Sequence, residues 1–167
     1  MKGWVCKEMN LNVGISDWKV GKPPDVLVTY ALGSCVGICL YDKGRNIAGL
    51  SHIMLPDSTT SGEASINRMK FADTAIPDML KKMVAMGAKQ LSITAKIAGG
   101  ATMFAVGGCD RFNIGERNIA AVKSALQVLR IPITAQDTGL NYGRTVFFYP
   151  EDGKVKVKSA TKGERFL

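Results

Sequence analysis

The sequence predicts an α+β fold: layered, mixed β-sheets with helices on the outside. Three observations point there. At least six short apolar stretches, several of them alternating, have the length and flanking turns of strands. Only two longer segments repeat apolar residues every three to four positions, as helices do. Glycine is abundant, 18 in 167 residues, which suits many tight turns and close backbone approaches. Six strands against two helices fit stacked layers more economically than a Rossmann sheet, although strand 91–98 followed by helix 113–130 also suits one βαβ unit. At 46% hydrophobic residues the chain is expected to form a single domain, residues 1–167, around a substantial core.

Met1 to Asn10, with Trp4, Val5 and Cys6, suggests a short opening strand. Val13-Gly14-Ile15 leads into Asp17 to Pro24, expected to be a loop because Pro23 and Pro24 oppose regular structure. Trp18 within it is expected to cover core surface. Asp25 to Tyr30 reads as a strand, and Leu32-Gly33-Ser34-Cys35 as a change of direction. Asp57 to Gly62 is a small polar loop, after which Glu63 to Gly87 turns helical with Ala72, Ile76, Met79, Leu80, Met83 and Val84 on one face. Pro77 suggests a kink or a restart capped by Thr74, and Gly87 supplies the stop.

Leu91 to Ala98 reads as a strand running into Gly99-Gly100-Ala101, with Met103 and Phe104 assigned to core packing. Asn113-Ile114-Gly115-Glu116 forms a capping box ahead of the stripe Ile119, Val122, Leu126 and Leu129, which Pro132 ends. Ile133 to Ala135 and Thr145 to Tyr149 are strands on either side of a loop from Asp137 to Arg144. Lys154 to Lys158 alternates lysine with valine, the pattern of an edge strand whose lysines face water.

The densest chemistry lies between Thr29 and Pro56, which holds the sole histidine, His52, seventeen residues after Cys35. Apolar runs on both sides of the polar turn Asp42 to Asn46 read as a hairpin. A loop of Lys43 and Gly44, or a four-residue loop about the same centre, makes opposed residue numbers sum to 87 and sets Cys35 directly across from His52. A three-residue loop would put them on opposite faces. A facing thiol and imidazole make half of a cysteine hydrolase site.

The formal charge of +8 admits an acidic partner, but no nucleic-acid module accompanies it, so nucleic-acid binding is not expected. No apolar run is long enough to cross a bilayer and no basic start precedes an apolar segment, so the expectation is a cytoplasmic protein without membrane insertion. Cys6, Cys35, Cys39 and Cys109 lack zinc-ligand spacing, so no metal and no cofactor is expected. Cys6, Cys39 and Cys109 read best as small buried hydrophobes.

Several segments in order resemble the CheD family, the chemoreceptor glutamine deamidases of bacterial chemotaxis. They are Thr29, Gly33-Ser34-Cys35-Val36, Ser51 to Pro56, Phe71 to Ala75, Lys96 to Ala101, Asn113 to Asn118 and Asp137-Thr138-Gly139. The resemblance covers nearly the whole chain. It implies a fold similar to the catalytic domains of glutamine-deamidating bacterial toxins, with Cys35 as nucleophile, His52 as general base and Thr29 as the third catalytic position. Gly33 and Ser34 then belong to the substrate or oxyanion region. The implied partners are the cytoplasmic helices of methyl-accepting receptors, at receptor arrays, and a CheC-like chemotaxis phosphatase. Receptor glutamyl methyl ester hydrolysis is an implied second activity. Leu140 departs from the family, where many relatives carry glycine, and this puts receptor and partner preference in question. A regulatory binding module and a cysteine hydrolase with another protein substrate are the competing readings.

Overall fold

The computed structural model describes residues 8–59, 61–62, 66–103 and 113–167. Among these the strands are β1 (Asn10–Asn12), β2 (Asp17–Gly21), β3 (Val26–Leu32), β4 (Val36–Asp42), β5 (Ile47–Ile53), β6 (Ile93–Gly99), β7 (Ile133–Thr138), β8 (Arg144–Phe148), β9 (Val155–Ser159) and β10 (Gly163–Phe166). The helices are α1 (Ala72–Ala85) and α2 (Ile114–Val128). An outer sheet runs β1-β3-β8-β9-β10 and a central sheet runs β2-β5-β4-β6-β7. Both are mixed, since β1 pairs with β3 in parallel, β6 pairs with β7 in parallel, and their other pairings are antiparallel. The expected βαβ unit is therefore present as β6-α2-β7.

Alternation along the central strands builds two cores. One set of side chains, including Ile38, Leu40 and Ile53, packs against Met79, Met83, Val122 and Leu126 of the helices. The other set, including Cys39, Tyr41 and Leu50, meets Leu27, Val146 and Phe148 of the outer sheet. Every residue of β4 and β5 is buried, as two covered faces require. The order is outer sheet, central sheet, helices, which is the layered α+β arrangement expected.

Several local expectations are corrected. Asp17 to Pro24 is not all loop, because Asp17–Gly21 finds the free edge of β5 and only the segment around the prolines turns. Trp18 does pack on the helix-side core. The first helix begins at Ala72 with Phe71 at its N-cap, leaving Pro77 inside it; the Thr74 hydroxyl bonds back to the Arg68 and Phe71 carbonyls instead of capping. Gly87, at φ +110, ends the helix as expected. Val155–Ser159 is not an edge strand, since β10 covers it, and its Lys156 and Lys158 lie over the Phe147 ring. The opening strand with Trp4, Val5 and Cys6, together with Phe104 and Cys109, falls outside the described residues, which contain β1 from Asn10.

Candidate active site

The nucleophile candidate sits where the chain crosses between sheets. In β3 the pairing with β8 shifts between Thr29 and Leu32, Ala31 adopts φ +57, and the chain passes through Gly33-Ser34-Cys35 into β4. Three successive carbonyls of this crossing are anchored. Gly33 O accepts from Ala101 N at 2.8 Å, Ser34 O from Asn118 Nδ2 at 2.9 Å, and Cys35 O from Gly100 N at 2.8 Å. The approach of Gly99 is what permits the last bond: at φ +109, a side chain there would collide with the Cys35 carbonyl. Gly33 and Ser34, assigned to the substrate or oxyanion region, line the same cleft as Cys35.

The histidine lies on β5, but the hairpin register differs from the expected one. Asp42 pairs with Ile47, the opposed numbers sum to 89, and Gly37 rather than Cys35 is across from His52. The turn explains the shift. Asp42 accepts the Gly44 N–H with its side chain and the Arg45 N–H with its carbonyl, and Asn46 takes a left-handed φ of +53, so all of Lys43 to Asn46 is used in the loop. A shift of two residues preserves the face. Cys35 packs beside the inter-sheet core, and the His52 side chain also points between the sheets, towards Thr29. The pair is thus diagonal on one face instead of directly opposed.

Thr29 fixes the state of the imidazole. Its Oγ1 lies 2.7 Å from Val13 O and 2.7 Å from His52 Nδ1. A hydroxyl has one proton, and a carbonyl can only accept. That proton therefore goes to Val13 O, so Nδ1 must carry hydrogen and donate to the threonine oxygen. In neutral His52 the lone pair is then on Nε2, which is buried and has no partner among the described residues. Thr29 and His52 are both fully buried.

Burial shapes both ionisations. The Cys35 thiol is pushed above its ordinary range by burial, against the smaller opposing pull of its own backbone N–H. His52 is depressed by burial to about 4. The resting pair is a neutral thiol and a neutral imidazole, not a preformed ion pair. Cys35 opens on a cleft of about 540 Å³, which also involves Ala31, Met103 and the first turn of α2 at Asn113, Ile114 and Gly115. A second cleft of about 660 Å³ adjoins it across Ala31 and Met103 but holds none of the three candidate side chains. Among the described residues no group of three His, Cys, Asp or Glu side chains is arranged to hold a metal ion.

The family model described as CheD, chemotactic sensory transduction, matches residues 54–159. The chain belongs to the CheD family. Among similar relatives, the "Probable chemoreceptor glutamine deamidase CheD" of Lachnoclostridium phytofermentans is 50% identical, over 93% of this chain and 96% of its own length. The "Chemoreceptor glutamine deamidase CheD" of Halalkalibacterium halodurans is 46% identical over 93% and 96% of the two chains. That of Bacillus subtilis is 42% identical over 94% and 95%. The family match begins beyond His52, so the placement of Thr29, Cys35 and His52 in this CheD-family chain rests on the geometry above.

Sequence reasoning missed part of the site's frame. Asn118 stands in the sequence only as the end of a motif, yet it is buried in α2 and bonded to the Ser34 carbonyl. An asparagine among the apolar positions of a buried helix face was the available signal. Asp137 and Arg144, expected at the ends of a loop, instead lie in β7 and β8 and form a buried ion pair at 2.9 Å. Met103, expected in the core, is 44% exposed at the mouth of the cleft. Leu140 sits at φ +59, a left-handed conformation in which glycine is at ease.

Proposed function

We propose that the chain hydrolyses the side-chain amide of glutamine in the cytoplasmic helices of methyl-accepting chemoreceptors, giving glutamate and ammonia. The observation that carries this reading is the hydroxyl bond that leaves His52 Nε2 bare, on the same sheet face as a half-buried thiol opening on a cleft. Because both groups rest neutral, His52 Nε2 takes the Cys35 proton as the sulfur attacks the carboxamide carbon. The imidazolium returns that proton to the departing nitrogen, which leaves as ammonia, and a γ-glutamyl thioester remains on Cys35. Water, losing its proton to His52, adds to the thioester carbon; the carbon–sulfur bond breaks and the proton goes to sulfur.

Negative charge on the substrate oxygen calls for donors. In a trans peptide the carbonyl and the next N–H point in opposite directions, so anchoring Gly33 O and Ser34 O turns the Ser34 and Cys35 N–H groups away from their anchors. The Cys35 N–H, on the residue that carries the attacking sulfur, is then the first oxyanion donor. The N-terminal turn of α2 lines the same cleft and contributes partial positive charge.

A glutamyl methyl ester would give the same thioester with methanol leaving, so receptor methylesterase activity belongs to the same reading. Exposed Met103 and Leu140 beside the clefts offer apolar contact to a receptor helix or to a CheC-like phosphatase. The family assignment and the charge of +8 support action in the cytoplasm on acidic partners at receptor arrays. The test is mass spectrometry of cognate receptor cytoplasmic fragments after incubation with wild type and with Cys35→Ala. The expected result is amide-to-acid conversion at defined glutamines with wild type alone. Conversion by folded Cys35→Ala would exclude the covalent route.

A further inference from the structure

We propose that Asn118 is a positioning residue that holds Cys35 and His52 in register from helix α2; this rests on the deamidase reading above. The ladder between β4 and β5 ends at Val36 and Ile53. Beyond that pair the two strands part company. The β4 side turns back through Ser34 and Gly33 to Ala101, and on the β5 side the Met54 and Leu55 N–H groups bond to Lys70 O. The candidate nucleophile therefore lies one residue outside the ladder that carries its base.

Asn118 closes that gap. Its Nδ2 donates to Ser34 O at 2.9 Å and to Met54 O at 3.0 Å, so one amide nitrogen spends its two protons on the two diverging strands. Flipping the amide would set its oxygen against two carbonyl oxygens, so the assignment is fixed by chemistry. The side chain is fully buried, and its Oδ1 has no partner among the described residues. Asparagine is a mediocre helix former, and a buried, unpaired amide oxygen carries a penalty of its own. An apolar residue at this point of the helix would leave the Ser34 and Met54 carbonyls without this shared donor.

The double bond also has a directional consequence. Holding Ser34 O on α2 fixes the Ser34–Cys35 peptide plane and with it the direction of the Cys35 N–H. Helix α2 is itself packed against the segment after β6 that anchors the Gly33-Ser34-Cys35 crossing, because Gly115 meets the Gly100 and Ala101 carbonyls with room only for hydrogen. Asn118 thus ties helix, nucleophile and histidine strand into one frame, without touching the substrate cleft.

Asn118→Ala should lower kcat on receptor fragments by about 10²-fold, the scale of a misplaced reacting group, with KM changed less than about threefold. Iodoacetamide alkylation, followed on the Cys35 peptide as a function of pH, should shift its midpoint in the same variant. Asn118→Ser, which keeps one donor, should fall between. Val122→Ala, a cavity one turn further along the same buried face, is the control and should leave both readouts unchanged. Folded Asn118→Ala behaving like Val122→Ala in kcat and alkylation would overturn the assignment. So would failure of both Asn118 variants to fold, which would make the residue a fold determinant. Alkylation needs no glutamine substrate, so it tests Asn118 even if wild type releases no ammonia and the deamidase reading itself fails.

Discussion

Two buried polar clusters flank the Gly33-Ser34-Cys35 crossing, and they are wired in opposite ways. Around Arg144 every group has a partner. Its Nε and Nη2 reach Asp137 Oδ1 at 3.0 and 2.9 Å, Nη2 also donates to the Gly139 carbonyl and Nη1 to that of Tyr142, and its guanidinium stacks 4.0 Å from the Tyr142 ring centroid. Asp137 also accepts from the Tyr142 hydroxyl and pairs with Arg165. Around His52 one nitrogen is bonded and the other is bare. The saturated cluster secures a loop: Gly139 N and Leu140 O bond to Gly99 O and Thr102 N, on either side of the glycine that clasps Cys35. The unsaturated one has capacity left for a reaction. Saturation marks scaffold here, while the bare Nε2 of His52 is one of four buried side-chain polar atoms without a partner among the described residues, beside Trp18 Nε1, Ser51 Oγ and Asn118 Oδ1.

That contrast breaks first at Arg144. Arg144→Met should cost about 3–5 kcal/mol in urea unfolding, because Asp137 is left as an incompletely compensated buried charge. Adding Asp137→Asn in the same chain should recover part of the loss, since the orphaned charge is removed. Equal stability of single variant and wild type would contradict the structural role.

The histidine cluster should respond to acid. His52 has a folded pKa of about 4, below the ordinary 6.5, so as pH falls the unfolded chain takes up the proton first. Its contribution is fully present above about pH 6.5, declines towards pH 4 and levels off below, for a total of about 3 kcal/mol. Urea midpoints across this range should show that slope in wild type and a flatter profile in His52→Gln.

The smallest expected effect separates orientation from chemistry. Thr29→Val keeps the shape but strands Val13 O and the Nδ1 proton, and should reduce kcat about 10–10²-fold with little change in KM. Thr29→Ser should restore most of it. A Thr29→Val enzyme with full kcat would mean that the tautomer is set by something other than this hydroxyl.

What could be read in advance followed local periodicity. The helices, the buried β4–β5 hairpin and the βαβ unit each left a pattern of period 3.6 or 2, and the Asn113 cap was visible in four residues, with its side chain accepting the Glu116 N–H. The Cys35–His52 face was legible, because parity survives a two-residue register error, while the pairing itself depended on how Asp42 and Asn46 shape one turn. Asn118, Asp137 and Arg144 were not legible. Their roles come from partners 84, 7 and 5 positions away that meet only when the layers close. Strand β10 was missed for a similar reason: its four residues are all exposed, so no apolar alternation betrays it.

That last strand has a consequence for handling the protein. It occupies the open hydrogen-bonding edge of β9, its Glu164 pairs with Lys158, and Leu167 supplies a carbonyl to the Lys96 ammonium reaching out from the central sheet. Trimming residues 163–167 would move the sheet's open edge from exposed β10 to the more apolar β9 and strip a counterpart from a partly buried cation. Shortened versions of the chain are therefore the ones that should stick to one another.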